Sequence, residues 1–176
     1  MFISAGAIVS DHDSLITQQI PRLRRYARAL TGERSAADDL VQDTLERALS
    51  RFHLWRQGSD LRAWLFTIMH NIYVNQVRSR VRQQHESLDD FAADGGRSHD
   101  PDWAELRDID EALSRLPEEQ RAVVLLVGLE QLTYEEAARV LDIPIGTVMS
   151  RLSRGRERLR LILAAAPRVT ALKVVK

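Results

Sequence analysis

Residues Thr133–Leu163 read TYEEAARVLDIPIGTVMSRLSRGRERLRLIL, and their pattern predicts the fold of the C-terminal half of the chain. Thr133, followed three positions later by Glu136, has the pattern of a capping box and predicts the start of a helix. The apolar residues that share one face of this helix are Ala137, Ala138 and Leu141. Pro144 lacks a donor N–H and disfavours helical backbone in the residue before it, so the helix must end there. Asp142 tolerates the left-handed conformation that such a turn requires.

A second helix is predicted to begin at Ile145 and to carry a basic face. Its inward positions are Val148, Leu152 and Leu159, and its other face holds Arg151, Arg154, Arg156, Arg158 and Arg160. Two short helices, a tight turn and a basic second helix are typical of a helix-turn-helix, whose second helix enters the DNA major groove. The alternative is an ordinary helical hairpin with a solvated arginine face. Five arginines and one glutamate between Met149 and Arg160 give a net charge of +4, which favours DNA binding.

Composition and charge describe a globular protein with segregated charges. The 176 residues are 44% hydrophobic and 28% charged, with 25 basic and 25 acidic residues. Four arginines and no acid lie between Arg62 and Arg82 (+4), whereas ten acids and two arginines lie between Gln83 and Glu111 (−8). A neutral total therefore leaves nucleic acid as a possible partner of separate basic patches.

The protein is expected to be cytoplasmic. Cysteine is absent, which fits a reducing compartment and leaves no disulfide or thiolate metal site. Met1–Val9 is short and lacks a basic segment, so we do not expect a signal peptide. No run approaches the roughly 18 apolar residues of a membrane span.

The N-terminal part is predicted to begin with two helices. The first runs from Leu15 to Leu30, with Pro21 marking either a kink or the first turn of the main helix. The residues expected to share its apolar face are Leu15, Ile16, Ile20, Leu23, Tyr26, Ala27 and Leu30. The second is predicted to be capped by Ser35 and to run from Ala36 to about Phe52.

One side of the second helix is acidic. The polar residues that fall within a single arc are Asp38, Asp39, Gln42, Asp43 and Glu46. Acids near a helix start suit the helix dipole, which accounts for Asp38 and Asp39 but poorly for Glu46, because the effect fades after the first turn. The other interpretation is a docking face for a basic partner.

A polar loop, His53–Asp60, precedes a third helix that Asp60 is predicted to cap and that runs from Leu61 to about Arg82. Its first half is apolar almost all round and is expected to be the centre of a bundle. Trp64, Phe66 and Tyr73, interleaved with cationic and amide side chains, suggest a stacking surface for single-stranded bases. Assignment of the Trp64 and Phe66 rings to the core is the favoured alternative.

The remaining elements predict a second module. The polar and acidic stretch 83–102 is predicted to be a linker between domains at 13–82 and 103–165. Trp103 to Leu116 is amphipathic through Leu106, Ile109, Ala112, Leu113 and Leu116. Pro117 is expected to start a helix that runs from Glu118 to about Val127 and ends at Gly128, before the helix-turn-helix.

Catalytic, metal and cofactor sites are not expected. The five histidines show no pair at helical spacing, and no phosphate-binding loop, nucleophile motif or triad is present. The paired carboxylates lie on solvent faces. We therefore predict neither an enzyme nor a small-molecule substrate.

Four segments in this order resemble the two-domain sigma factors of bacterial RNA polymerase of the extracytoplasmic-function (ECF) class. They are SAADDLVQDTLERAL (35–49), LRAWLFTIMHNIYVNQVR (61–78), ALSRLPEEQRAVVLL (112–126) and LTYEEAARVLDIPIGTVMSRLSRGRERLR (132–160). The resemblance covers about Leu15 to Leu163. It implies an alternative sigma factor that binds core RNA polymerase and directs promoter-specific initiation, and that catalyses nothing itself.

The resemblance also implies residue roles. The surface that docks on the β′ clamp coiled coil, with the β subunit as a further contact, comprises Asp38, Asp39, Gln42, Asp43, Glu46 and Arg47. The residues that receive the opened minus-ten strand are Trp55, Gln57, Asp60, His70, Asn71, Tyr73, Asn75, Arg78 and Arg80, with Arg82 toward phosphate. The residues that read the minus-thirty-five duplex are Thr147, Met149, Ser150, Arg151, Arg154 and Arg158. The linker is similar to one that threads the polymerase cleft, and an anti-sigma factor is an implied partner.

This sequence departs from the family pattern at several positions. Met149 stands where many members carry lysine, His70 and Tyr73 are bulkier than the small residues common there, and Asp142 replaces a frequent glycine. Two other functions are considered. A stand-alone repressor or activator leaves the acidic face at 38–46 unexplained, and a purely protein-binding helical module leaves the arginine face at 151–160 without a role.

Overall fold

The structure is a computed structural model that describes residues 14–86 and 104–165. Within these ranges all regular elements are helical, and they form two small modules. The predicted all-α fold, with a helix-turn-helix in the C-terminal module, is confirmed. The predicted linker beyond Glu86 and the residues before 14 and after 165 lie outside the described part of the chain.

The first module contains three long helices. After a helical turn at 14–17 come α1 (Ile20–Thr31), α2 (Arg34–Ser50), a 3-10 turn (Phe52–Leu54) and α3 (Leu61–Glu86). α2 packs against both α1 and α3. The side chains that fill the centre are Leu23, Tyr26, Leu30, Leu40, Leu65, Phe66 and Met69. Each large apolar group removed from water in this way stabilises the fold by about 1.5–3 kcal/mol.

Several local predictions in this module are confirmed. Pro21 occupies the first turn of α1, where its missing N–H costs no hydrogen bond. Asp60 caps α3, since its Oδ1 accepts from the backbone N–H groups of Arg62 (2.8 Å) and Ala63 (3.2 Å). Phe66 is buried and Trp64 is half-buried against the core, so the assignment of these rings to the core was correct.

Other local predictions are wrong. Ser35 does not cap α2, because the helix begins at Arg34, two residues before its predicted start, with Glu33 at the N-cap; the Ser35 hydroxyl donates to the Glu33 carboxylate. Leu15 is exposed and Ile20 only half-buried, because the turn at 18–19 breaks the single face that periodicity predicted. α3 continues to Glu86, four residues beyond its predicted end.

The second module contains α4 (Ala104–Ser114), α5 (Glu118–Val124), a π-helical segment (Leu125–Leu129), α6 (Tyr134–Leu141) and α7 (Ile145–Ala165). Ile109, predicted to face the core, is 43% exposed. Gly128 does not end the helix after Pro117, because the chain widens into the π-helical segment and passes through it. The turn that follows uses Gln131, with φ of 56°.

The helix-turn-helix, α6 and α7, follows the prediction closely. The Thr133 hydroxyl accepts from the N–H of Glu136 (3.2 Å), and a Glu136 carboxylate oxygen accepts from the N–H of Thr133 (2.7 Å), which completes the capping box. Asp142 ends α6 in the left-handed region with φ of 52°. Gly155, which the sequence reading did not single out, lets α7 approach α5: a Cβ there would lie 2.7 Å from Val124 Cγ2.

The two modules pack directly on each other. α3 lies against α6, and α1 lies against α4 and the π-helical segment. These contacts form an interface between the two modules. Candidate site residues near this interface are less exposed than those away from it. No helix in the described ranges combines the length and apolar character needed to cross a bilayer.

Candidate nucleic-acid interface and the acidic face

The N-terminal half of α7 presents the residues predicted to read duplex DNA. Arg154 and Arg158 are exposed, and Thr147 and Ser150 are half-buried. The Ser150 hydroxyl donates to the carbonyl of Thr147 (3.1 Å), while Arg154 donates to the Ser150 carbonyl and hydroxyl (both 3.2 Å). The guanidinium of Arg154 therefore lies along its own helix, held in place by Ser150.

Arg151 is engaged within the second module. Its Nη2 lies 2.7 Å from the Glu119 carboxylate of α5, and its side chain is only 23% exposed. Glu119 is 69% exposed, so this carboxylate reduces the positive potential next to the recognition helix. Further along, Arg160 pairs with Glu157 (2.8 Å), which leaves Arg154, Arg156 and Arg158 as the more available cations.

Two large apolar side chains stand among these cations. Met149 is 52% exposed and Ile145, one turn earlier, is 41% exposed. Residues four positions apart share a helix face, so the two form one apolar strip. The sequence reading listed Met149 but missed Ile145, because periodicity does not tell an exposed isoleucine from a buried one.

The residues predicted to bind the minus-ten strand differ in exposure: some side chains are exposed, and others are half-buried or buried. The open members are Gln57, Asn71, Asn75, Arg78 and Arg80, all exposed. Trp55 is half-buried with its ring centroid 5.2 Å from that of Phe52. Asp60 serves as the cap of α3. Burial acts to raise its pKa, but the N–H groups of Ala63 and Arg62 and the charge of Arg62 lower that pKa overall.

Tyr73 is buried and His70 is half-buried, and charged residues of the second module act on both. Burial lowers the pKa of His70 to about 4, and the positive charge of Arg151 adds to this shift. Burial also raises the pKa of Tyr73, with Glu118 contributing in the same direction and Arg121 opposing it. Arg151 and His70, assigned to different DNA elements, therefore lie close enough to interact electrostatically.

The acidic side of α2 is exposed at all six predicted positions, 38, 39, 42, 43, 46 and 47. Gln42 donates to the Glu46 carboxylate (3.0 Å), and Asp43 accepts from Gln76 of α3 (3.1 Å). Asp38, Gln42 and Glu46 line a groove beside α1, whereas Asp43 contacts α3, and the docking role of the six positions stays a prediction.

A groove of about 690 Å³ lies between α1 and α2. Its acidic and amide side is Asp38, Gln42 and Glu46, its basic side is Arg24, Arg25 and Arg28, and its floor includes Val41, Leu45 and Leu49. Leu49 is 51% exposed. The sequence reading missed the basic side, although three arginines within five residues of α1 were a visible signal.

In the described ranges, no group of three His, Cys, Asp or Glu side chains is arranged to hold a metal ion. The expectations that this chain has no metal and no catalytic residue remain predictions.

Comparison with known proteins decides the family. Residues 16–70 match the family model of the sigma2 domain of PhyR, and residues 106–159 match the model of sigma-70 region 4. The ECF RNA polymerase sigma factor EcfG of Rhodopseudomonas palustris is 39% identical over 152 residues, which cover 84% of this chain and 82% of that protein. The chain belongs to the ECF class of sigma factors.

Other relatives of this sigma factor agree. SigE of Mycolicibacterium smegmatis is 35% identical over 94% of this chain and 66% of its own length. Among solved structures, RpoE of Bartonella quintana in complex with the anti-sigma factor NepR has a TM-score of 0.75 and 35% identity, covering 89% of this chain and 99% of that one. CnrH in complex with the cytosolic domain of CnrY has a TM-score of 0.65 and 25% identity, covering 88% of each chain.

Proposed function

We propose that this sigma factor binds core RNA polymerase and directs promoter-specific initiation, with the minus-thirty-five element read as duplex and the minus-ten element as an opened single strand. The observation that carries the proposal is the capped helix-turn-helix with exposed Arg154 and Arg158, in one chain with the exposed acidic side of α2. One half supplies a DNA-reading helix and the other supplies a protein-docking face.

Duplex recognition is assigned to the first turns of α7. The N-terminal residues of a recognition helix contact base edges in the major groove. Arg154 is the first exposed arginine of α7, and hydrogen bonds to Ser150 position its guanidinium. Arginine bound to guanine O6 and N7 discriminates by roughly 1–3 kcal/mol per base pair. Arg158, one turn further, is assigned to phosphate.

Single-strand recognition is assigned to the loop His53–Asp60 and the exposed side of α3. Extrusion of a base from the stack costs a few kcal/mol, which contacts in a pocket and along the strand must offset. Asn71 and Asn75 supply donors and acceptors, and Arg78 and Arg80 supply charge for phosphate. Since Asp60 is a helix cap, we assign it to holding the loop rather than to contacting a base.

Polymerase docking is assigned to α2 and the groove beside it. Core RNA polymerase contributes the β′ clamp coiled coil as the partner, and the polymerase carries out all the chemistry. An anti-sigma factor is a further proposed partner, supported by the similarity to RpoE, which was solved in complex with NepR.

Run-off transcription with core RNA polymerase on a genomic promoter library tests the proposal. Wild-type protein should confer defined start sites on core enzyme. Asp39→Arg combined with Asp43→Arg should abolish association with core while duplex binding by the second module remains. Arg154→Ala should keep core association and lose duplex binding. Glu111→Gln, at an exposed position of α4 that neither assignment includes, should behave like wild type. Absence of start-site selection by the wild-type protein would refute the proposal.

A second candidate function follows from the match of residues 16–70 to the sigma2 domain of PhyR. A sigma-like protein of that kind would bind an anti-sigma factor without directing transcription. The same run-off assay separates the two, because only a sigma factor confers start sites. Duplex binding without core association would instead indicate a stand-alone regulator.

A further inference from the structure

One apolar side chain of the first module stands in solvent where the loop before α3 begins. Leu54 is 66% exposed, the highest value among the large apolar side chains of residues 14–86 and 104–165. Proteins commonly carry single exposed leucines, so exposure alone does not assign a role. The backbone support of Leu54 and the charges around it distinguish this leucine from the others.

The backbone of Leu54 is fixed by the 3-10 turn Phe52–Leu54. The N–H of Leu54 donates to the carbonyl of Arg51 (2.8 Å), and the N–H of Trp55 donates to the carbonyl of Phe52 (2.9 Å). The Phe52 ring is buried, with its centroid 5.2 Å from that of Trp55 and 6.0 Å from that of Trp64. The turn is therefore anchored in the core, and Leu54 is presented to solvent from a preorganised backbone, which lowers the entropy cost of binding.

The charged residues near Leu54 in the chain are basic. Arg51, His53 and Arg56 are all exposed, and the sequence from Arg47 to Ser59 contains no acidic residue. Phosphate groups are the natural partners of such cations, and a stack of bases accepts an apolar side chain between its members. Nucleic acid supplies both partners in one ligand.

Other exposed apolar side chains have acidic neighbours instead. Leu49, 51% exposed, lines the groove that Asp38 and Glu46 also line. Ile109, 43% exposed, is followed directly by Asp110 and Glu111. Carboxylates repel phosphate, so neither position suits a polyanion as Leu54 does.

We propose that Leu54 inserts between neighbouring base pairs at the edge of the opened minus-ten segment and replaces the stacking that is lost when the strands separate. This role rests on the function proposed above and adds a DNA-contacting residue to it. Leucine is among the side chains that proteins insert between base steps to unstack them. Arg51 and Arg56 bind neighbouring phosphates. Trp55 and Gln57, assigned to the opened strand, follow in the chain, so the separated strand continues from Leu54 onto the loop.

Opening of two matched templates by full-length protein and core RNA polymerase tests the insertion. Both carry one promoter selected by the run-off assay, but in the second template the minus-ten segment is mismatched and already open. Run-off product is measured on both, and permanganate oxidation of unpaired thymines on the paired template. Leu54→Ala should slow opening of the paired template about tenfold, which corresponds to about 1.4 kcal/mol. It should leave the rate on the mismatched template unchanged.

Three variants serve as comparisons. Leu54→Met keeps an apolar side chain of similar size and should open the paired template at the wild-type rate. Leu54→Lys adds a cation but removes the apolar end of the side chain, and it should open the paired template as slowly as Leu54→Ala. Ile109→Ala shortens an exposed apolar side chain of α4 and should match wild type on both templates. Thermal unfolding of Leu54→Ala should match wild type, because the side chain lies in solvent.

Four outcomes would overturn the insertion. Wild-type opening by Leu54→Ala would remove it and leave the proposed function standing. Wild-type opening by Leu54→Lys would indicate a phosphate contact. Equal loss on both templates, or weaker association of Leu54→Ala with core polymerase, would assign Leu54 to binding of DNA or of the polymerase rather than to opening. Absence of start sites with the wild-type protein on either template would refute the proposed function, and the insertion with it.

Discussion

Arg151 of the recognition helix and Glu119 of α5 form an ion pair of 2.7 Å within the second module. A residue assigned to the duplex therefore already has a carboxylate partner, and that carboxylate is more exposed than the arginine. Exposed pairs of this kind are worth about 0.2–1 kcal/mol, so phosphate or base contacts can outcompete Glu119.

Glu119→Gln is expected to tighten duplex binding, because it removes a negative charge beside the recognition helix and releases Arg151. The gain should be about 0.5–1 kcal/mol, and the dependence of log Kd on log salt should steepen by about one phosphate contact. Binding isotherms at several salt concentrations measure both quantities. Glu111→Gln serves as the matched control, and identical salt slopes for Glu119→Gln and wild type would contradict the prediction.

Gly155→Ala is expected to destabilise the second module by about 1–3 kcal/mol, because the new methyl group lies 2.7 Å from Val124 Cγ2 and within 3.4 Å of Gln120 Cβ. Helix propensity alone predicts the opposite sign, since alanine is favoured over glycine by about 1 kcal/mol. Gly146→Ala in the first turn of α7 meets no atom within 4 Å and should be neutral or stabilising. Denaturant unfolding of the two variants makes the comparison, and a stabilised Gly155→Ala would show that the helices can move apart at no cost.

His70 is expected to make stability fall as the pH is lowered from about 6.5 to about 4. Its pKa is about 4 in the folded protein and 6.5 in the reference state, so the unfolded chain binds a proton that the folded chain excludes. Above pH 6.5 His70 is neutral in both the folded and the unfolded chain, so its ionisation does not change the free energy of unfolding. Between pH 7 and pH 5 the loss should be about 2 kcal/mol, since one pKa unit corresponds to about 1.4 kcal/mol.

Unfolding titrations of wild type, His70→Gln and His53→Gln at both pH values test this. His70→Gln should lose this part of the pH dependence, and His53→Gln, exposed in the loop, should retain it. Equal pH slopes in wild type and His70→Gln would show that His70 takes up its proton without cost.

Met149→Lys is expected to strengthen duplex binding and to increase its salt dependence by about one phosphate contact. Met149 is 52% exposed on the strip it shares with Ile145, so the longer cation is accommodated without repacking. Filter-binding or anisotropy titrations at increasing salt measure the effect. Loss of promoter preference without a change in the salt slope would instead indicate that Met149 contacts base edges.

Local features of the chain were predictable because their interactions span only a few residues. The capping box at Thr133 and the cap at Asp60 join groups at most three positions apart. The left-handed conformation of Asp142 is a property of a single residue before a proline turn. Ser35 shows the limit of this reasoning. A serine near a helix start has several local partners of similar energy, and here the helix begins two residues before the predicted start.

Amphipathic periodicity placed most of the core but failed at the edges of elements. Ile109 fits the apolar face of α4 and is nonetheless 43% exposed, since helical periodicity does not tell whether another element covers a given point of that face. The need for glycine at position 155 could not be predicted from periodicity, since it depends on how closely α7 approaches α5.

Most helices, several of their caps and the charge of each surface could be predicted from residue order, because these depend on side chains close together along the chain. Which candidate site residues are exposed depends on packing between distant helices. The Glu130 carboxylate accepts from Arg25, 105 positions away, and nothing in the local pattern of either residue indicates the other. Tyr73 is buried and His70 half-buried on α3, which packs on α6 of the second module, and no local pattern predicts a contact between surfaces that only the folded chain brings together.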